Sequence, residues 1–431
     1  MTEKNKIGAV LVVGGGIAGI QASLDLAEMG VKVFLLDEEP SIGGRMAKLD
    51  KTFPTNDCAL CILSPKLVEA GGHPRITLLT NSSLLGVSGT AGDFTARVRK
   101  RPRYVSIEKC TGCGACTEKC PVKVKDPFNQ GLNETKAIRV PFPQAIPLAA
   151  IIDDKVCLMF TKKRCGICRK VCTAGAVEYD QKPEEIELKA ASVILAPGSG
   201  EFDPRLRREF GYGRFPNVVT SLEFERMLCA SGPSGGHVRR PSDGHEPKRI
   251  AFLQCVGSRD RVAGSPVCSS MCCMQAVKDA VVASEHVPDL SATIFGIDLR
   301  TQGKHFDDFV ERAQSEHGVR FLRSRVTGVG QDGRKNLVLK YVGESEEVIK
   351  ETFDLAVLSV GFVTSPRVIA LAKKLGVALD AADFCRDVPF SGIATSREGI
   401  FACGTLNGPK DIPESVAEAS AAAMAAAGFA L

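Results

Sequence analysis

The apolar pattern changes period twice within the first forty residues. Gly8 to Val13 is a continuous aliphatic run, Ile20 to Met29 spaces its apolar residues as a helix does, and Val31 to Leu36 is again strand-like and closes on Asp37. With Gly14-x-Gly16-x-x-Gly19 between the first two, the pattern predicts a βαβ unit. Two further runs, Val193 to Pro197 before Gly198 and Leu355 to Val360 before Gly361, read as buried strands ending in glycine. Ile250 to Leu253 begins another strand, after a Ser-, Gly-, Pro- and charge-rich stretch, 231–248, that reads as a surface connection. Gly399 to Gly404 and Pro409 to Ser415 lead into a long Ala-rich helix. The fold class that follows is α/β.

The glycines of the first turn allow a tight bend and a close backbone approach to a pyrophosphate, whose charge suits a helix N-terminus. Gly14, Gly16, Ile17, Ala18 and Gly19 are therefore nucleotide-cradle candidates, with Asp37 and Glu38 at the ribose end. Gly43, Gly44 and Arg45 extend the cradle, and Gly198, Gly361 and Gly404 resemble the places where flavin disulfide-reductase folds bring strands and a helix end to the flavin ring. Ile412, Pro413 and Ser415 open the last helix, whose positive end would favour a reduced, anionic flavin. Thr405 stands where an acidic residue usually follows the glycine. A reductase of the flavin disulfide-reductase fold that these segments resemble would carry its nicotinamide fingerprint after Leu253, but the chain has Gln254-Cys255-Val256-Gly257-Ser258-Arg259, which speaks against an NAD(P) site.

Twelve of the 17 cysteines fall into three sets of four. Cys110-x-x-Cys113-x-x-Cys116-x-x-x-Cys120-Pro121 has the spacing of a [4Fe-4S] ferredoxin run. Its partner is Cys157 with Cys165-x-x-Cys168-x-x-x-Cys172. In two-cluster ferredoxins the fourth cysteine of each run serves the other cluster. Crossing predicts Cys110, Cys113, Cys116 and Cys172 on one cluster and Cys120, Cys157, Cys165 and Cys168 on the second. Zinc is disfavoured, because zinc sites pair separated Cys-x-x-Cys units. Cys255, Cys268, Cys272 and Cys273 follow no ferredoxin spacing and form a third candidate set. Cys58-x-x-Cys61 admits three readings: a disulfide or dithiol near the flavin, an auxiliary ligand pair, or core packing. Cys229, Cys385 and Cys403 have no partners by spacing and read as packing residues.

Composition narrows the class. With 431 residues, 44% hydrophobic and 24% charged, the chain suits two or three globular domains, and grouped thiols without a leader pattern argue for metal or redox centres over disulfide scaffolding. No run is apolar enough for a membrane span. These features give a cytoplasmic expectation, with membrane association only through partner subunits. A net charge of +5 is small, and the basic stretch Arg97, Arg99, Lys100, Arg101, Arg103 reads as a solvated strand or a docking site for an acidic redox partner. It lacks the aromatic interleaving of a nucleic-acid surface.

Taken together, these residues identify a resemblance to the A-subunit family of heterodisulfide reductases. It is carried by Val12 to Gly19, Phe53-Pro54-Thr55-Asn56-Asp57-Cys58 with Cys61-Ile62-Leu63-Ser64-Pro65, Gln254 to Asp260, Cys272-Cys273 and Gly408 to Pro413. The resemblance implies a thioredoxin-reductase-like, Rossmann-type FAD-binding fold with an inserted two-cluster ferredoxin domain. It implies a [4Fe-4S] cluster on Cys255, Cys268, Cys272 and Cys273 near FAD, and Lys278 close to flavin N5. The boundaries expected are 1–100, 183–230 and 363–431 for the FAD-binding domain, 101–182 for the insert, 231–248 for a linker, and 249–362 for a degenerate dinucleotide-binding domain.

The layout is similar to the A subunits of quinone-interacting membrane-bound oxidoreductase complexes. That similarity implies a relay between adenylylsulfate reductase and a membrane quinone-interacting subunit in sulfate respiration, together with a second flavin and iron-sulfur subunit. The alternatives are a flavin-based electron-bifurcating subunit of a heterodisulfide reductase-like complex, and an NAD(P)-dependent flavoprotein reductase.

Overall fold

The computed structural model describes residues 7–431 apart from 263 and 387. Its first unit is built on a parallel five-stranded sheet in the order Ile400–Ala402, Ser192–Leu195, Ala9–Val13, Lys32–Leu36, Ile76–Leu79. The central strand Ala9–Val13 is buried along its whole length, as its unbroken aliphatic run requires. Helices Ile17–Glu28, Ala59–Gly72 and Ile412–Ala430 contribute to the core on one face. The Ala-rich helix lies along Ile17–Glu28, since alanines let the two backbones come close. An antiparallel sheet of Ser82–Thr90, Asp93–Lys100 and Glu184–Ala190 closes the other face through Phe94, Ala96 and Val98. Each fully buried Val, Leu or Ile contributes roughly 1.5–3 kcal/mol relative to exposure.

The second unit repeats this plan. Its parallel sheet runs Val218–Thr220, Leu355–Val360, Arg249–Val256, Ser291–Gly296, Arg320–Arg323. Helices Ser221–Leu228, Cys272–His286 and Phe306–Ser315 pack on one face, and an antiparallel sheet of Val326–Gln331, Leu337–Val342 and Val348–Phe353 packs on the other. The two crossings lie side by side, because Gly200–Glu201 pairs antiparallel with Phe362–Val363.

One stretch packs elsewhere than the sequence boundaries placed it. Val218–Thr220 pairs with Leu355–Val360, and Phe224 packs edge-on against Phe252, so residues 218–228 belong to the second unit and not to the FAD-binding one. The stretch 231–248 carries no helix or strand and is mostly exposed, tied down at Val238 and at Arg240, which hydrogen-bonds Asn336. Residues 101–183 leave and return at Lys100 and Glu184, which are paired neighbours. A segment whose ends already meet adds little closure cost to its host.

The basic stretch is also resolved by its neighbours. Arg99 and Lys100 face Glu185 and Glu184 across the strands at 2.7 and 3.3 Å. Arg103 is buried and donates to the carbonyls of Ala149, Ala150 and Pro40, which fastens the insert to the first unit. Arg99, Lys100 and Arg103 thus brace the chain internally.

Candidate functional site: a flavin cradle and three thiol sets

The Gly14–Gly19 turn is closed by backbone contacts that no side chain could share. A Cβ on Gly14 would lie 2.0 Å from the Ala196 carbonyl oxygen, and one on Gly19 would lie 1.8 Å from that of Gly14. Gly16 faces Gly44, whose Cβ would come within 2.8 Å of the Gly16 Cα, and Gly43 N–H donates to the Gly15 carbonyl. Strand, helix start and the Gly43-Gly44-Arg45 segment thus meet with bare backbone. Gly16 caps helix Ile17–Glu28 without a side-chain hydrogen bond, which leaves the terminal N–H groups to an anion.

Asp37 turns inward. Its carboxylate accepts from Gly15 N–H at 2.5 Å and from Glu39 N–H at 2.7 Å. Burial pushes its pKa up to about 6 against the lowering effect of those hydrogen bonds. Glu38 pairs with Arg367, so it serves the fold at this point. Arg45 pairs with Glu201 at 2.7 Å and stacks over Phe362, 4.6 Å from the ring centre, which ties the glycine segment to the crossing strands.

Gly404 reaches the same cradle: its Cβ would lie 3.1 Å from that of Ala18 and 3.9 Å from Ser415 Oγ. Its N–H donates to Glu418, an acid that the spacing around Thr405 did not reveal. The N-terminus of Ile412–Ala430 is closed by a capping box of Asp411 and Glu414, and Pro413 stands in its first turn. Two carboxylates therefore already answer the dipole that was expected to act on a flavin. Gly198 has open space where a Cβ would stand, whereas Gly361 abuts Gly257 at the base of the third thiol loop.

The eight insert cysteines sort into two rings. One cavity is lined by Cys110, Cys113, Cys116 and Cys172, the other by Cys120, Cys157, Cys165 and Cys168. This is the crossed arrangement. Left-handed turns at Gly112, Gly114, Cys165 and Gly166 let the short runs curl inward. Ala150 and Ala176 N–H point at the Cys110 and Cys172 sulfurs, and Tyr179 OH lies 2.9 Å from Cys168 Sγ. Among the described residues no group of three or more His, Cys, Asp or Glu converges on a single metal ion. A cubane holds its thiolates farther apart than one ion does, so ringed cavities are the relevant fit.

The third set gathers where strand Arg249–Val256 ends and helix Cys272–His286 begins. Cys255 adopts a positive φ of 61°, which redirects the chain there. Burial raises the Cys272 thiol, and Cys273, Cys255 and Cys268 raise it further, so the four sulfurs share one neighbourhood. Burial likewise pushes Cys273 up to about 11. With Cys272 and Cys273 buried and Cys255 and Cys268 half-buried, a cation-rich centre is what would stabilise them as thiolates. Beside Cys255 a cavity of about 310 Å³ opens at the strand ends, lined by Arg207, Gln254, Gly296, Ser324 and Arg325 among others.

Lys278 is not the solvated helical lysine that its position allows: it is 1% exposed. Its ammonium pairs with Glu225 and lies 2.6 Å from Asp279. Burial lowers its pKa, but Asp279 and Glu225 outweigh that and keep it charged. Burial and the Glu225 charge raise Asp279 well above the carboxylate range. Glu225 also accepts from the Asp50 N–H at 2.9 Å, so the cluster sits directly behind the segment that follows Arg45. The carboxylates come from Ser221–Leu228 and Lys278's own helix, and nothing in local spacing announced them.

Cys58 and Cys61 form a disulfide, and both are exposed, which removes core packing as a reading. Cys229, Cys385 and Cys403 are buried.

Pyridine nucleotide-disulphide oxidoreductases match residues 8–423. The chain belongs to that family. Its fold is that of thioredoxin reductases: the Lactococcus lactis enzyme superposes with a TM-score of 0.55 at 16% identity, covering 98% of each chain, and the T. acidophilum enzyme with 0.53 at 15%, covering 97% of each. Family and fold support FAD as the flavin.

Closer in sequence are the A subunits of heterodisulfide reductases. The iron-sulfur A subunit of the CoB–CoM heterodisulfide reductase of Methanocaldococcus jannaschii is 47% identical over 419 residues, 96% of this chain and 63% of the relative. The A subunit of the H(2):CoB-CoM heterodisulfide,ferredoxin reductase of Methanothermobacter marburgensis is 44% identical over 422 residues, 97% of this chain and 63% of the relative. The chain thus spans less than two thirds of the relatives it matches. No helix among the described residues is long and apolar enough to cross a membrane.

Proposed function

We propose that the chain is the FAD and iron-sulfur redox subunit of a heterodisulfide reductase-like complex, joining two-electron and one-electron carriers. The observation that carries this is the sorting of eight insert cysteines into two four-thiol rings beside a glycine-built dinucleotide cradle. A bound flavin exchanges electron pairs or single electrons, and iron-sulfur clusters exchange one at a time. The chain's own residues bind and tune. Gly14, Gly16 and Gly19 admit the pyrophosphate, the twelve thiols supply soft anionic ligands, and Lys278 keeps a fixed positive charge behind the Arg45 segment.

A relative named for both heterodisulfide and ferredoxin favours a branching, bifurcating flavin over the simple quinone-to-adenylylsulfate-reductase relay first expected. An NAD(P)-dependent reductase is the second reading, favoured by the family and by the Arg207- and Arg325-lined cavity at the strand ends. Native anaerobic purification separates the three. Heterodisulfide reductase-type subunits with a hydrogenase or formate dehydrogenase are the expected companions. A membrane quinone-binding subunit with adenylylsulfate reductase would overturn the reading in favour of the relay, and a solitary chain bleached by NAD(P)H would overturn it in favour of the reductase.

A further inference from the structure

The flavin cradle is not held by its own unit alone. Its second glycine segment, Pro40 to Lys48, meets the Gly14–Gly19 turn through the Gly43 N–H, which donates to the Gly15 carbonyl at 2.7 Å. The same segment rests on the insert. Ile42 and Ile146 form an antiparallel bridge, in which Ile42 N–H donates to the Ile146 carbonyl at 3.0 Å and Ile146 N–H donates to Ser41 Oγ at 2.9 Å. Phe142 is buried, and its ring edge stands 3.5 Å from where a Cβ on Gly43 would be. Phe142 stacks on Phe128 with ring centres 4.8 Å apart, and the fully buried Arg226 guanidinium lies 4.7 Å from the centre of the Phe128 ring. Arg226 closes the circuit from the second unit: it donates to Asn129 at 2.9 Å and to the Lys48 carbonyl at 3.2 Å.

The stretch of insert that touches the cradle also touches the first thiol ring. Four residues beyond Ile146, Ala150 lines that cavity, and its N–H points at Cys110 Sγ from 3.5 Å. The Ala150 carbonyl accepts from Arg103, which also donates to Pro40. The insert has little secondary structure to hold this stretch in place. Its helices Ala115–Lys119, Leu158–Lys162 and Ile167–Val171 are one turn long, and its own core joins Tyr104, Val105, Ile138, Ile152 and Val177 to ligand thiols packed among them. A module so small, with metal ligands in its core, folds on its metal.

We propose that Phe142 and Ile146 are positioning residues of the flavin cradle, and that iron loading of the Cys110, Cys113, Cys116 and Cys172 ring thereby sets how tightly the chain holds its flavin. With the ring's thiols gathered, segment 142–150 is fixed and holds Pro40 to Lys48 against the glycine turn. With the thiols loose, that segment frays and the cradle loses one wall. A chain without clusters to receive electrons therefore holds FAD weakly. By linkage, bound FAD raises the ring's affinity for its metal by the same factor. The inference rests on the redox-subunit reading.

The test compares the whole chain, purified anaerobically, with the same protein stripped of iron by a chelator and then rebuilt with ferrous iron and sulfide. FAD binding is read by equilibrium ultrafiltration and backbone protection by hydrogen exchange. Stripping should raise the FAD Kd at least about tenfold, and rebuilding should restore it. Residues 40–48 should lose protection in the stripped protein while Ala9–Val13 keeps it. Cys113→Ala, at an exposed position, should lose about four irons and show the same weakened FAD. Phe142→Leu keeps an apolar contact but not the ring stack, so it should raise the Kd about threefold with its iron unchanged. Equal FAD affinity in stripped and loaded protein, in Cys113→Ala or in Phe142→Leu overturns the proposal, as does a loss of protection spread over both parallel sheets. Protein purified without iron or without flavin overturns the redox-subunit reading as well, whereas iron and flavin that are both present and vary independently overturn this inference alone.

Discussion

Gly19→Ala should produce protein that retains less than about a tenth of its flavin and is destabilised by at least about 3 kcal/mol. The added methyl carbon would stand 1.8 Å from the Gly14 carbonyl oxygen and 3.0 Å from its carbon, both rigid backbone. Relief requires helix Ile17–Glu28 to move off the strand Ala9–Val13, and its N-terminus is the feature that receives the pyrophosphate. Gly8→Ala is the control, since no atom lies within 4 Å of a Cβ there. Flavin absorbance per chain and a urea midpoint measure both effects. Normal flavin content in Gly19→Ala would show that the dinucleotide does not sit on this turn.

Lys278→Met should cost about 3–5 kcal/mol, because it leaves the Glu225 carboxylate buried without its cation. Glu225→Gln in the same chain should recover part of the loss, which separates a charge effect from a packing effect. The flavin midpoint potential supplies the functional readout. If Lys278 stands near flavin N5, as the resemblance implies, removing its charge should make the reduced, electron-rich form less favourable, so the potential falls. Unchanged stability would contradict the buried pairing, and an unchanged potential would refute the role beside N5.

The contrast between these two sites shows what the chain discloses about itself. The Gly14–Gly19 cradle was readable because strand, turn, helix and acid all lie within about thirty residues, and each imposes its own period. The two cysteine runs were readable as a pair for the same reason, and the structure groups their thiols around two cavities. Lys278 was not, because one of its partners, Glu225, comes from a helix whose own strand neighbour, Leu355–Val360, lies far along the chain. That long-range pairing also hid the packing of residues 218–228 on the second unit. Cys58-x-x-Cys61 fits several chemistries by spacing alone, and exposure was needed to choose among them. Asp37 and Glu38 were placed correctly at the end of their strand, but their side chains answer Gly15 and Arg367, contacts that depend on how the loops meet.

The central claim, a flavin joined to three four-thiol centres in one chain, is tested most directly by counting iron and acid-labile sulfide per flavin in anaerobically purified protein. About twelve irons with a matching amount of sulfide per FAD is the predicted result. About eight would show that Cys255, Cys268, Cys272 and Cys273 hold no cluster, and zinc or no metal in the insert would contradict the account.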